Sequence, residues 1–210
     1  VILHGYWRSS AAYRVRIALA LKGLAYEQVN HDLRTGAQSA PDYTALNPQH
    51  LVPTLEVDGL ILTQSLAIVE WLDERHPTPA LLPADADGRA IVRAMATTIG
   101  ADIHPLHNLR VLKRLRSDFA ADEAAVNAWI AEWMTAGFAA LEPTIEKHGR
   151  GFAYGNAPTI ADCFLVPQLY AAARFGVDTT PYPVLAAAGA KAAAVAAFAA
   201  AHPSRQPDAD

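Results

Sequence analysis

Gln64 and Ser65 stand directly ahead of the apolar run Leu66-Ala67-Ile68-Val69-Glu70-Trp71-Leu72. The run reads as a helix with Ser65 as its N-cap. A helix start offers a hydroxyl and unpaired backbone N–H groups carrying partial positive charge, which together suit a carboxylate. The plainer alternative is that Ser65 only caps its own helix, and the segment by itself leaves both open. His104 and His107 are spaced as His-x-x-His, which invites a metal. No acidic residue or cysteine with suitable spacing completes the set, so no metal site is expected. Thr159-Ile160-Ala161-Asp162 is a capping box with Asp in the reciprocal position. Its carboxylate is therefore expected to bond back to the backbone at the start of its own helix. Cys163 follows among apolar neighbours, and a buried thiol is a poor nucleophile.

The elements that must position these groups fall into two regions. Val1 to Tyr6 is short and β-prone, Ser9 to Gly23 carries a helical pattern, and Tyr26 to Leu33 is a second strand. Asp42 to Pro48 is a brief helical turn stopped by proline. Leu51 to Thr63 alternates as a strand, an Asp58-Gly59 turn and another strand. Asp-Gly is a strong hairpin signal because the tight turn needs backbone φ above zero. The order β-α-β-α-β-β-α predicts an α/β unit with a mixed four-stranded sheet. Pro77, Pro79 and Pro83 then make a stiff connector. Beyond it no strand pattern is visible. Gly88 to Arg116, Asp122 to His148, Thr159 to Phe175 and Val184 to Ala201 read as helices, and His202 to Asp210 is expected to fray. The expected regions are 1–80 and 86–210.

Bulk composition narrows the function classes. The chain has 210 residues, 52% hydrophobic and 18% charged, which is globular rather than disordered. A net charge of −4 leaves no basic footprint for nucleic acid in the totals. One cysteine excludes a disulfide framework within the chain and fits a reducing compartment. No apolar run is long enough to span a bilayer, and the first residues do not read as a signal peptide, so a cytoplasmic location is expected.

An α/β region followed by an all-helical one resembles the cytosolic glutathione transferases: a thioredoxin-like N-terminal domain, then an all-α C-terminal domain. Leu51-Val52-Pro53 is similar to that family's cis-proline turn, Gln64-Ser65 to its γ-glutamyl site, and Thr159 to Asp162 to its capping box. Arg8-Ser9-Ser10-Ala11-Ala12-Tyr13-Arg14-Val15-Arg16-Ile17-Ala18-Leu19 resembles the Ser-Ser-Cys-x-Trp/Tyr-Arg-Val-Arg-Ile-Ala-Leu segment of the zeta class, which includes the maleylacetoacetate isomerases. Ala45 to Pro48, Gln64 to Ile68, His104 to Leu109 and Val177 to Pro183 resemble that class too. The resemblance runs from Ile2 to about Phe198. One position departs from it: Ala11 stands where the class has cysteine, which puts that cysteine's auxiliary role in doubt more than the activity.

The resemblance implies a glutathione-dependent cis–trans isomerase of maleyl compounds, maleylacetoacetate or maleylpyruvate, acting as a homodimer. The substrate is a small dicarboxylate or diketo acid. Such chemistry needs a thiolate near neutral pH, although a free thiol titrates at about 8.5. Ser9 and Ser10 precede a helix, so their hydroxyls and its first N–H groups can lower that value; otherwise one serine merely caps and the other is solvated. Ser9 is assigned as the main donor to the sulfur, with Ser10 second. Arg8 is assigned to the carboxylate beside the double bond or its enolate, and Arg110 and Arg174 to the distal acid, against the alternative that each is an ordinary surface arginine. His104 and Asn108, spaced i and i+4 on one helix face, are expected to face the tripeptide. Gln38, His50, Val52 (through its backbone), Pro53, Gln64 and Ser65 complete the glutathione site. The rival readings are a general transferase that conjugates small electrophiles in an apolar pocket, and a non-enzymatic module of the same fold.

Overall fold

A computed structural model describes all 210 residues. The chain forms two compact units, Val1–Leu81 together with Ala194–Asp210, and Leu82–Ala193.

The first unit is built on a four-stranded sheet of order β2-β1-β3-β4, with β1 Ile2–Gly5, β2 Glu27–Asn30, β3 Thr54–Val57 and β4 Leu60–Thr63. β1 runs parallel to β2 and antiparallel to β3, and β3 is antiparallel to β4. The β3–β4 turn has positive φ at both Asp58 (49°) and Gly59 (79°), the conformation that the Asp-Gly pair favours. Helix α1 (Ser10–Leu21) is capped by Ser9, and Gly23 takes φ 65° just past its end. α1 is buried along nearly its whole length, including Arg14 and Arg16 at 2% and 1% exposure. It packs against α3 (Ser65–Arg75) and α9 (Ala196–Ala200). Short helix α2 (Pro41–Leu46) lies between β2 and β3. Buried Lys22 binds the Asp73 carboxylate at 2.7 Å, and the same Asp73 oxygen accepts the Leu81 N–H at 2.7 Å. A buried cation is thereby matched to a carboxylate that also fixes the end of this stretch of chain.

The second unit is helical: α4 Ala86–Thr97, α5 Leu109–Asp118, α6 Glu123–His148, α7 Ile160–Arg174 and α8 Pro183–Ala193. α4 packs on α7, and α8 on both α6 and α7. Gly137 lets α6 approach closely, since a Cβ there would stand 2.2 Å from Ile103 Cδ1. The helix expected over Gly88 to Arg116 is broken. A π-turn (Thr98–Ile103) and a 3-10 turn (His104–His107) separate α4 from α5. Pro105 cannot continue the α-helical bonding, and Asn108, extended at φ −65° and ψ 146°, restarts it as a cap. Buried Ile99, Ile103 and His107 keep a four-residue spacing through the break, which is why the sequence reads as continuous.

The expected helix Val184 to Ala201 is likewise two, α8 and α9, parted at Val195 with its extended backbone. Nothing in an alanine run signals such a stop. The segment 194–210 belongs with the first unit rather than with the helical region: Phe198 is fully buried, Tyr13 Oη donates to Phe198 O at 3.4 Å and Arg16 Nε to Ala201 O at 3.1 Å. Residues 203–210, expected to fray, form a 3-10 turn (Pro203–Arg205) and make side-chain bonds back to the sheet.

Candidate active site

The strand register brings the predicted groups of the first unit to one end of the sheet. His4 on β1 pairs with Thr54 on β3, and Thr54 pairs with Thr63 on β4. Gly5 pairs with Asn30 at the end of β2. The turn Tyr6–Ser9, the Val52–Pro53 peptide, the Gln64–Ser65 pair and the loop leading to Gln38 therefore all adjoin the sheet at the same end.

At the first of these, Ser9 N donates to Tyr6 O at 3.0 Å and closes the turn. Ser9 Oγ accepts the Ala12 N–H at 3.2 Å. Capping uses the oxygen as acceptor and leaves the hydroxyl proton to be given elsewhere. No acidic residue occupies the first turn of α1, so the positive end of the helix is not neutralised from within. Ser9 is half-buried, and Ser10 is buried at 7% exposure. Capping and donation, which the sequence left as alternatives for Ser9, are compatible in one side chain. Arg8 is half-buried with its guanidinium 5.1 Å from the centroid of the Trp7 ring.

The second wall is the cis Val52–Pro53 peptide, both residues buried. The carbonyl of Leu51 accepts from Tyr43 Oη at 2.6 Å and Asn47 Nδ2 at 2.7 Å, and both groups also reach Thr54 Oγ1. These bonds fix the turn that presents the Val52 backbone.

At the third, the cap is Gln64, with φ 68°, and Ser65 is the first residue of α3. This corrects the expectation that Ser65 is the N-cap: the Gln64 carbonyl accepts from Ile68 N at 3.0 Å, which places Ser65 inside the first turn. Ser65 Oγ accepts from Arg14 Nη1 at 3.1 Å. Burial brings the Arg14 pKa down to about 9, so the group still carries its charge at neutral pH. A buried cation bonded to Ser65 adds to the helix-end field and frees the Ser65 hydroxyl proton for an anion. Gln64 Nε2 donates to Gln49 Oε1 at 2.9 Å. Gln38, in the 3-10 turn Ala37–Ser39, holds a buried Oε1 without a hydrogen-bond partner, an acceptor awaiting a donor. His50 is exposed at φ 56°.

The remaining predicted residues lie in the second unit. His104 is in the 3-10 turn and Asn108 is the extended cap of α5, its Oδ1 accepting the Arg110 N–H at 3.2 Å. They do not share a helix face, because the backbone changes form between them. The His104 ring stands 5.2 Å from that of His107, His107 stands 5.8 Å from Phe175, and Arg174 lies over Phe175 at 4.3 Å. His104 and Arg174 thus end one row of ring contacts. Arg110 is exposed in the first turn of α5 and is not part of it. Asp162 does what its capping box predicts. Oδ2 accepts from Thr159 N at 2.8 Å and Thr159 Oγ1 at 3.0 Å, and Oδ1 from Ala153 N at 2.8 Å. Burial raises its pKa to about 6 against the pull of those donors. No group of three or more His, Cys, Asp or Glu side chains is placed to hold a metal, and no helix is long and apolar enough to cross a membrane.

Sequence reasoning missed Arg14, Arg16, Tyr43 and Asn47 as supports. The signal for the arginines was present: two cations inside an otherwise apolar helical run must either be solvated or be bonded in the interior.

The glutathione S-transferase N-terminal domain profile matches residues 1–74 and the C-terminal domain profile residues 127–201. A maleylpyruvate isomerase of Ralstonia sp. is 51% identical over 209 residues, covering 98% of each chain. The holo structure of a maleylpyruvate isomerase, described as a bacterial glutathione S-transferase of the zeta class, superimposes with a TM-score of 0.98 at 48% identity over the whole of both chains. A maleylacetoacetate isomerase of Anaeromyxobacter dehalogenans, with glutathione bound in its active site, gives a TM-score of 0.90 at 49% identity over 100% of this chain and 97% of its own.

Proposed function

The chain belongs to the zeta class of the glutathione S-transferase family, and from that membership we propose that it is a glutathione-dependent isomerase converting maleyl compounds, maleylacetoacetate or maleylpyruvate, to their fumaryl isomers. The observation that carries the reading is the start of α1, where a Ser9 hydroxyl with a free proton stands at a helix end with no acid in its first turn.

When bound, glutathione supplies a thiolate that adds reversibly to the conjugated double bond, so that the resulting single bond rotates before the thiolate leaves. The residues present fit such a tripeptide. Gln64 and Ser65, backed by Arg14, take the γ-glutamyl end. The Val52 backbone beside cis Pro53 pairs with the peptide as an added strand would. The unpartnered Gln38 Oε1 and exposed His50 serve the other end. Ser9 donates its hydroxyl proton to the sulfur and, with the α1 dipole, favours the anion there; Ser10 is secondary. Arg8 holds the carboxylate beside the double bond and stabilises negative charge that develops on the enolate. Arg110 and Arg174 bind the distal acid, and His104 and Asn108 contact the tripeptide. Residues 1–80 are the glutathione-binding part, and the helical region beyond 86 binds substrate. We place the protein in the cytoplasm as a homodimer, in keeping with its single cysteine and its class.

The test is isomerisation of both maleyl substrates with and without glutathione, beside conjugation of chlorodinitrobenzene. Turnover that requires glutathione and exceeds conjugation is expected. Equal rates without the tripeptide, or conjugation as the dominant activity, would overturn the reading.

A further inference from the structure

We propose that Asp208 is a positioning residue for the turn that carries Arg8 and Ser9. The inference rests on the functional reading above and concerns how the Ser9 hydroxyl is held in place.

The Trp7 peptide sits between β1, whose pairing ends at Gly5, and the start of α1. Ladder bonds no longer reach it, and Trp7 is buried, so its N–H and C=O need other partners. Both are found on side chains tied to the segment that follows α9. Asp208 Oδ2 accepts the Trp7 N–H at 2.9 Å. Arg16 Nη2 donates to Trp7 O at 2.9 Å, while Arg16 Nε donates to Ala201 O at 3.1 Å. The residue before Arg8 is thus held at both its backbone N–H and its backbone C=O.

Asp208 is itself anchored. Its Oδ1 accepts from Gln28 Nε2 at 3.2 Å, and Gln28 donates from the same nitrogen to Asn30 Oδ1 at 2.7 Å, so the carboxylate joins the turn to β2. Ala209 packs against the cluster of Tyr6, Trp7, Tyr43 and Val52. Asp210 pairs with Arg34, which also binds Asp32. Gln206 Nε2 donates to His202 O at 2.9 Å, and Ala209 N to Gln206 O at 3.1 Å, which fixes the bend that aims Asp208. Sequence reasoning expects this segment to fray, and the turn uses it as a clamp.

Charge and geometry make opposite predictions here, which allows a decisive experiment. A carboxylate near the sulfur opposes a thiolate, so if Asp208 acted through its charge, removing it would lower the titration midpoint of the bound thiol. If it acts by holding the turn, its loss loosens the Ser9 hydroxyl and the midpoint rises, since small misplacements of an oriented group are costly. The measurement is the ultraviolet absorbance of glutathione thiolate bound to the protein against pH, with glutathione affinity, thermal midpoint and isomerisation kcat for Asp208→Ala, Asp208→Asn and Asp208→Glu.

Asp208→Ala is expected to raise the thiol midpoint by about one pH unit and lower kcat about tenfold at neutral pH, with glutathione affinity within about twofold. Asp208→Asn keeps an acceptor for the Trp7 N–H but gives up the bond from Gln28 Nε2, and is expected to fall between the parent and Ala, nearer the parent. Asp208→Glu keeps the charge but displaces it, and is expected to behave like Ala; it stands in for Ala should that variant not fold. An unchanged or lowered midpoint in Ala or Glu overturns the proposal, as does Asn impaired like Ala, or a kcat loss that only follows a loss of affinity. The parent protein separates the two levels. A bound thiol that titrates like the free tripeptide defeats the reading of the Ser9 site, whereas a depressed midpoint that Asp208→Ala leaves alone defeats only the role of Asp208.

Discussion

Helices α1 and α7 both begin with a hydroxyl residue, and their surroundings differ in every respect that matters for binding. At α7, Thr159 and Asp162 are buried, and the Asp162 carboxylate accepts from Thr159 N, Thr159 Oγ1 and Ala153 N. The helix end is closed by an internal anion. At α1, half-buried Ser9 accepts a single N–H from Ala12, and no acid stands in the first turn. That end keeps its positive field and a free hydroxyl proton. The same local device is a folding element where the chain supplies its own anion, and in the proposed function a binding element where it withholds one.

The comparison breaks most visibly at Ser9. Ser9→Ala removes the main donor proposed for the sulfur, and kcat for isomerisation should fall about 10²–10³-fold, the cost of deleting an oriented donor from a developing anion. Stability should fall by only about 1 kcal/mol, the worth of an N-cap. Steady-state kinetics beside a urea titration measure both, and retained turnover would make α1 a capped helix and nothing more. Asp162→Ala should show the reverse pattern. It orphans the buried Thr159 and Ala153 N–H groups and should cost about 3 kcal/mol by urea unfolding, while turnover per folded molecule is kept.

Arg8 sharpens the open side of the comparison. It stands next to Ser9, with its guanidinium over the Trp7 ring. Arg8→Met keeps the stacking bulk and loses the charge. Turnover should drop about tenfold with glutathione affinity nearly unchanged, because the contact proposed for Arg8 is to the substrate acid and not to the tripeptide. Equal turnover in that variant would remove Arg8 from the site.

How far this contrast can be read from the chain depends on the range of the interactions that make it. The Asp58-Gly59 turn, the Thr159–Asp162 box and the Ser9 cap are local and were visible in the sequence, because each is set by residues within a few positions. The mixed four-stranded sheet follows from the element pattern, whereas its strand order does not. What was hidden is long-range or lacks a local stop signal. The break at Thr98–His107 keeps the helical burial period while the backbone changes, so a periodicity argument passes over it and puts His104 and Asn108 on one face. Arg14 reaches Ser65, and Asp208 reaches Trp7, across 51 and 201 residues of chain. Residues 203–210 are polar and proline-containing, so composition suggests fraying. Their fixed place comes from partners in β2 and in the turn after β1.

The smallest effect concerns protons, and it again separates the two helix starts. Burial holds the Asp162 carboxyl near a pKa of about 6 in the folded chain, against an ordinary value of 3.8. Between those limits the folded state keeps a proton that the unfolded state has released. Unfolding then frees a proton, so stability falls as pH rises from about 4 to about 6 and levels off above it. The three surrounding donors favour the charged form, and burial outweighs them in setting that raised value. His31 works in the opposite direction: burial and the neighbouring His4 lower its pKa, so its contribution is present above the ordinary 6.5 and is lost as pH falls below it. Subtracting the profile of Asp162→Asn from that of the parent cancels His31 and isolates the carboxyl. Ser9→Ala, which removes no titrating group, should give a profile parallel to the parent at every pH. A parent-minus-Asn difference that stays flat from pH 4 to 7 would mean that Asp162 is held as a carboxylate throughout, its three donors outweighing burial, and the anion that closes α7 would then be permanent rather than titratable.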